Sequence, residues 1–170
     1  TPFTGTFDGQ GHQITGLTVD SDSNDQGLFG YVGSGGTVKN VTVSGTVSGR
    51  GSNISVGGVV GKNSGTIENC HNTVAVSGSG TGGSGDSISV GGVVGQNHGG
   101  TIENCSNAGK VSGGGSGSSG NSTSVGGVVG YNRNGTVTNC YNIGEVNGNV
   151  HGSVGEGDVA FTYVGGVVGQ

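Results

Sequence analysis

Three cysteines, Cys70, Cys105 and Cys140, stand 35 residues apart, and each closes a Thr-x-x-Asn-Cys phrase. Brought one strand spacing apart, two of them are near enough to form a disulfide, which would leave a third thiol over. The alternative is a buried column of small hydrophobes. Leu17 and Val41, which occupy the matching place in earlier copies, favour that column, and free thiols are expected. Three thiolates on one metal would be the remaining chemistry.

Carboxylates are the second candidate. Glu68 and Glu103 hold equivalent places, with Lys39 in the copy before and Thr138 in the copy after. Paired carboxylates a few Å apart can cleave a glycosidic bond; an outward column with an exposed Lys–Glu contact contributes little. Asp20, Asp22 and Asn24 alternate like the start of a calcium loop and Asp25 follows, so calcium is a candidate cofactor. The loop pattern then breaks, because the sixth position is not Gly and the twelfth is Tyr31 rather than Glu. His12, His71, His98 and His151 are never arranged as His-Glu-x-x-His, the helical zinc pattern of metallopeptidases. Asp8, in Phe-Asp-Gly-Gln-Gly, reads as a turn cap.

The elements that must position these groups are repeats. Val-Gly-Gly-Val-Val-Gly begins at Val56, Val90 and Val125, and starts again at Val164. Gly27-Leu28-Phe29-Gly30 is an earlier, variant copy. A chain with 44 Gly in 170 residues and only 28% hydrophobic content would read as disordered on composition alone. A fixed period overrides that reading, and a single proline agrees. Gly and β-branched residues disfavour helix, and the apolar runs are short, so each repeat reads as about three strands with turns between.

The expected fold is all-β: a right-handed parallel β-helix in which each strand pairs with its equivalent one coil away, about 4.8 Å on. About five coils of about 24–39 residues are expected, near 1–26, 27–55, 56–89, 90–124 and 125–163, with a partial coil at 164–170. One core column is expected at Ile14, Val38, Ile67, Ile102 and Val137, and a second at Leu17, Val41 and the cysteines. Members of the two columns lie three residues apart, so both face inward only if the chain bends between them. The bend residue is Asn40, Asn69, Asn104 or Asn139, with Gly16 expected there in the first coil. Asn and Gly tolerate left-handed backbone, and stacked Asn amides can bond along the axis. Further Asn columns are expected at Asn63, Asn97 and Asn132 and at Asn72, Asn107 and Asn142.

The residues Gly-Leu-Phe-Gly, followed by Val-Gly-Gly-Val-Val-Gly-x-Asn and Gly-Thr-Ile-Glu-Asn-Cys, resemble the GLUG repeat of bacterial surface proteins. That repeat lies beside the catalytic part of IgA-cleaving zinc peptidases and in large adhesin-like proteins. The resemblance implies a secreted or cell-surface bacterial protein with flanking domains, and no activity for the repeats themselves. The chain opens inside one repeat and stops inside another, as an excised fragment would.

A net charge of -5 with scattered Lys and Arg offers no nucleic-acid stripe, and no apolar run could span a bilayer. The expected function is a non-catalytic extracellular stalk or adhesive display surface; the alternative is a polysaccharide-degrading β-helix. The expected partner, if any, is a host glycan or protein. The loop from Asn147 to Tyr163 is the candidate binding segment because it carries His151, Glu156, Asp158, Phe161 and Tyr163.

Overall fold

The computed structural model describes residues 1–80, 85–116, 120–151 and 160–170. Among these there is no helix, and every strand pairing is parallel. The chain winds as a β-solenoid. Phe29, Val60, Val94 and Val129 stack in register on successive coils.

Three sheets enclose the core. The first contains Asp25–Gln26, Asn53–Gly57, Ser87–Gly91, Ser122–Gly126 and Phe161–Gly165. The second contains Phe29–Val32, Val60–Asn63, Val94–His98 and Val129–Arg133. The third is bent: the 14-residue strand Thr37–Arg50 pairs first with Thr66–Asn72 and then with Ala75–Ser79. Its register puts Lys39, Glu68, Glu103 and Thr138 in one column, as the repeat alignment predicts.

The core is narrow, and small β-branched residues fill it. Val38, Ile67 and Ile102 form one fully buried column, and Val56, Val90 and Val125 another. A buried Val or Ile contributes about 1.5–3 kcal/mol, and the repeat supplies that contribution once per coil. In the first coils Phe3 and Phe7 pack on Phe29, with ring centroids 5.0 and 5.3 Å apart.

Asn40, Asn69, Asn104 and Asn139 all adopt left-handed backbone, with φ between 51° and 55°. This bend lets Ile67 and Cys70, three residues apart, both reach the core. In this column Asn69 donates to Asn40 at 3.0 Å, and Asn40 donates to Asp8 at 3.0 Å. Asp8 also caps its turn by accepting from the Gln10 amide at 2.9 Å.

The deeper amide columns are the other two. Asn72 donates to Asn107 at 2.7 Å and Asn107 to Asn142 at 2.8 Å. Asn63 donates to Asn97 at 2.9 Å and Asn97 to Asn132 at 2.8 Å. Each of these amides also closes its own turn. Asn107 donates to the Gly109 carbonyl at 2.8 Å and accepts from the Gly109 N–H at 3.1 Å. All four hydrogen-bonding places of this buried side chain are therefore filled.

The first coil departs from the sequence alignment. Phe7, not Ile14, stacks on Val38, and Ile14 lies opposite Val43. Leu17 lies opposite Gly45 rather than in the cysteine column. The offset between coils falls from 31 residues at Thr6–Thr37 to 29 at Gln13–Thr42, because the Gly9-Gln10-Gly11 turn carries two extra residues. Gly16, with φ of 71°, belongs to the irregularity between Ile14 and Leu17, not to the Asn bend.

All three cysteines are free. Cys70 and Cys105 are buried, and each thiol donates to a carbonyl two residues back. The Cys140 thiol is pushed up by its hydrogen bond with Cys105 and by burial. The Cys105 thiol is pushed up to about 12; its bond with Cys140 acts downward, but contact with Cys70 and burial outweigh this. Thiols held protonated are poor nucleophiles.

Two measurements check this architecture. Asn107→Ala strands four hydrogen-bonding partners, at about 1–3 kcal/mol for each unsatisfied buried group. It should lower the melting temperature by about 6 °C or more, at roughly 2–4 °C per kcal/mol. Thr101→Ala, on an outward column, should change it little, and equal melting of the two variants would refute the role of the amide column. In the folded protein a thiol-reactive dye should label Cys70 and Cys105 far more slowly than in denaturant, where all three cysteines should react. A count of one under non-reducing conditions would reveal a bridge.

Candidate functional site

The site begins with the glycines of Val-Gly-Gly-Val-Val-Gly, which turn the chain from the first sheet into the second. A Cβ on Gly58, Gly92 or Gly127 would overlap the side chain of Asn72, Asn107 or Asn142. The corner is therefore pressed inward onto the amide column. Just beyond it, a Cβ on Gly95 would stand 2.5 Å from the Val56 nitrogen, so the two sheets meet backbone to backbone. Their outward faces form the walls of a re-entrant groove that crosses the strands and runs along the solenoid axis.

Two connected hollows of about 260 and 280 Å³, sharing Ser87, Ser89 and Gln96, make up this groove. One wall carries Asp25, Ser55, Ser89 and Ser124, stacked in register. The facing wall stacks Tyr31, Lys62, Gln96 and Tyr131. Ser55 donates across the groove to Gln96 at 3.4 Å, and Ser124 donates to Gln170 at 3.0 Å. Lys62 Nζ lies 5.2 Å from the centre of the Tyr31 ring, within cation–π range. Burial raises the Asp25 carboxyl above the ordinary range, opposed by its Ser55 hydrogen bond and by Lys62.

Phe161 and Tyr163 continue the columns of Ser122 and Ser124. Their rings are 6.3 Å apart and inclined by 13°, and Phe161 is 48% exposed. Of the candidate loop, these two therefore stand at the end of the groove wall. His151 ends the strand Val146–His151, and its side chain lies outside the described residues, as do Glu156 and Asp158.

Of the calcium candidates Asp20, Asp22, Asn24 and Asp25, the last two line the groove together and Asp20 has a different partner. Asp20 lies in the strand Gln13–Ser21 and pairs with Arg50 at 3.6 Å, while Asp25, in Asp25–Gln26, lines the groove near Lys62. No three His, Cys, Asp or Glu side chains converge for a metal among the described residues. The step between sheets carries Asp20 and Asp25 to different partners. Glu68 and Glu103 are register neighbours on the third sheet, away from the groove. His71 bonds Ser106 at 2.8 Å in the next coil.

Sequence reasoning missed the facing wall. Its signal lies in the one variable place of an otherwise constant phrase: Val-Val-Gly is followed by Lys62, Gln96, Tyr131 and Gln170. A position that changes while its neighbours do not is free of the core.

The comparisons agree with this architecture. A family model described as the GLUG motif matches residues 52–77, 86–112 and 121–147. Halomucin of Haloquadratum walsbyi is 45% identical over 78 residues, which is 45% of this chain and 1% of that protein. A proposed Gly-rich membrane protein of Evansella cellulosilytica is 38% identical over 69 residues, 39% of this chain and 8% of that protein. This chain thus spans a small part of either relative. The crystal structure of a proposed immunoglobulin A1 protease from Bacteroides ovatus superposes with a TM-score of 0.51 at 18% identity, covering 94% of this chain and 68% of that one. This likeness is one of fold. Residues 52–77, 86–112 and 121–147 are GLUG-motif repeats, stacked as successive coils of a parallel β-solenoid.

Proposed function

We propose that the chain is a non-catalytic, extracellular repeat module, a stalk whose outward columns form an adhesive or display surface. The observation that carries this reading is the pair of buried amide columns running from coil to coil, Asn63 to Asn132 and Asn72 to Asn142. They tie each coil to the next in a fixed register, which suits a spacer of about 4.8 Å per coil. The likeness to a Gly-rich membrane protein supports a place at a cell surface. The outward residues are mostly Ser, Thr and Asn, chemistry that contacts a partner without transforming it.

Two experiments test the proposal. Small-angle scattering of tandem extensions of the chain should return a rod that lengthens by about 4.8 Å for each coil added; a particle whose length does not follow the number of coils would refute the stalk. Incubation with neutral and acidic polysaccharides should yield no new reducing or unsaturated ends. Product formation that is lost in Glu68→Gln or Glu103→Gln would instead establish the polysaccharide-degrading alternative.

A further inference from the structure

The protein is acidic overall, with five Lys and Arg against ten Asp and Glu. Three of the five cations are engaged by carboxylates: Lys39 with Asp8 at 3.6 Å, Arg50 with Asp20 at 3.6 Å and Lys110 with Glu145 at 3.2 Å. The other two, Lys62 and Arg133, have no salt-bridge partner among the described residues, and both line the groove between the first and second sheets. Asp25 is the one carboxylate among the described residues that lines it with them. Lys62 and Arg133 belong to the third and fifth coils, so two coil steps, about 10 Å, separate their levels along the axis. Between them the walls present hydroxyls and amides at every coil: Ser55, Ser89 and Ser124 on one side, Gln96 and Tyr131 on the other.

We propose that this groove binds a strand of acidic polysaccharide along the solenoid axis. Its anionic groups meet Lys62 and Arg133, and its hydroxyls meet the serine and glutamine columns. The inference rests on the reading of the module as a display surface and names what that surface holds. A glycan fits because its hydroxyls both donate and accept, as Ser and Gln require, and its ring faces can lie on Tyr131, Phe161 and Tyr163.

An extended peptide fits less well. It advances about 3.3–3.4 Å per residue and falls out of step with coils about 4.8 Å apart. It also cannot extend either sheet here, because Ser87–Gly91 and Val94–His98 are already paired on both sides. Double-stranded nucleic acid carries about one charge per 1.7 Å of its axis and needs more cations than these two. The half-buried Lys62 and the exposed Arg133 attract an anion over about one Debye length, so binding should weaken with salt.

The test is calorimetric titration of the 170-residue chain at low ionic strength with polygalacturonate, heparin, dextran and poly-glutamate. Polygalacturonate or heparin should bind, and the pair distinguishes a carboxylate ligand from a sulfated one. Dextran and poly-glutamate should bind at least tenfold more weakly. The double variant Lys62→Ala/Arg133→Ala should lose tenfold or more, Asp25→Asn should gain several-fold, and Lys110→Ala, on another face, should be unchanged. All variants should keep the native circular dichroism spectrum. No binding of either acidic glycan, equal binding of dextran or poly-glutamate, or full binding by the double variant would overturn the groove assignment. None of these results touches the stalk reading, which stands or falls on rod length and turnover.

Discussion

A buried amide side chain that lacks partners costs about as much as several buried methyl groups contribute. Asn72, Asn97 and Asn107, almost wholly out of water, avoid that cost by bonding one another's equivalents and their own turns. This requirement fixes the rest of the molecule. A slip of one residue between coils would break an amide column at every level and turn the Val and Ile columns outward at the same time. The two penalties oppose the same error, so a chain so poor in apolar residues still specifies one register.

The same requirement accounts for the glycines. The amide column occupies the space behind the corner, and the corner can approach it only without a Cβ, as at Gly92 against Asn107. Pressing the corner inward brings two sheets together backbone to backbone and leaves a groove between their outer faces. The groove is thus a by-product of satisfying buried amides. It recurs wherever the phrase recurs, and its length grows with the number of coils.

A division of labour follows. Positions that face the core or the amide columns are held constant by stacking, because a change in one coil disturbs the coils on both sides. Positions that face the groove have neighbours in register but no packing to satisfy. Lys62, Gln96, Tyr131 and Gln170 occupy one column and share no chemistry beyond polarity. Recognition can therefore vary from coil to coil on an unchanged scaffold, which is how an array of near-identical repeats acquires different surfaces.

By itself the sequence determined the repeat length, the strand character, the core columns from Val38 onward, and the left-handed bends at Asn40, Asn69, Asn104 and Asn139. These follow from spacing along one dimension, where period and residue type suffice. It misplaced the first coil, because the two extra residues in the Gly9-Gln10-Gly11 turn shift Ile14 against its neighbours while leaving the apolar pattern plausible. It grouped Asp20 with Asp25, which the step from one sheet to the next carries to different partners. Only the tertiary structure decided that the Gly-Gly corner turns inward and that Lys62 and Arg133 share one groove. That outcome depends on how closely two backbones approach across a corner, a distance set by the amide column behind it and not by any residue's place in the chain.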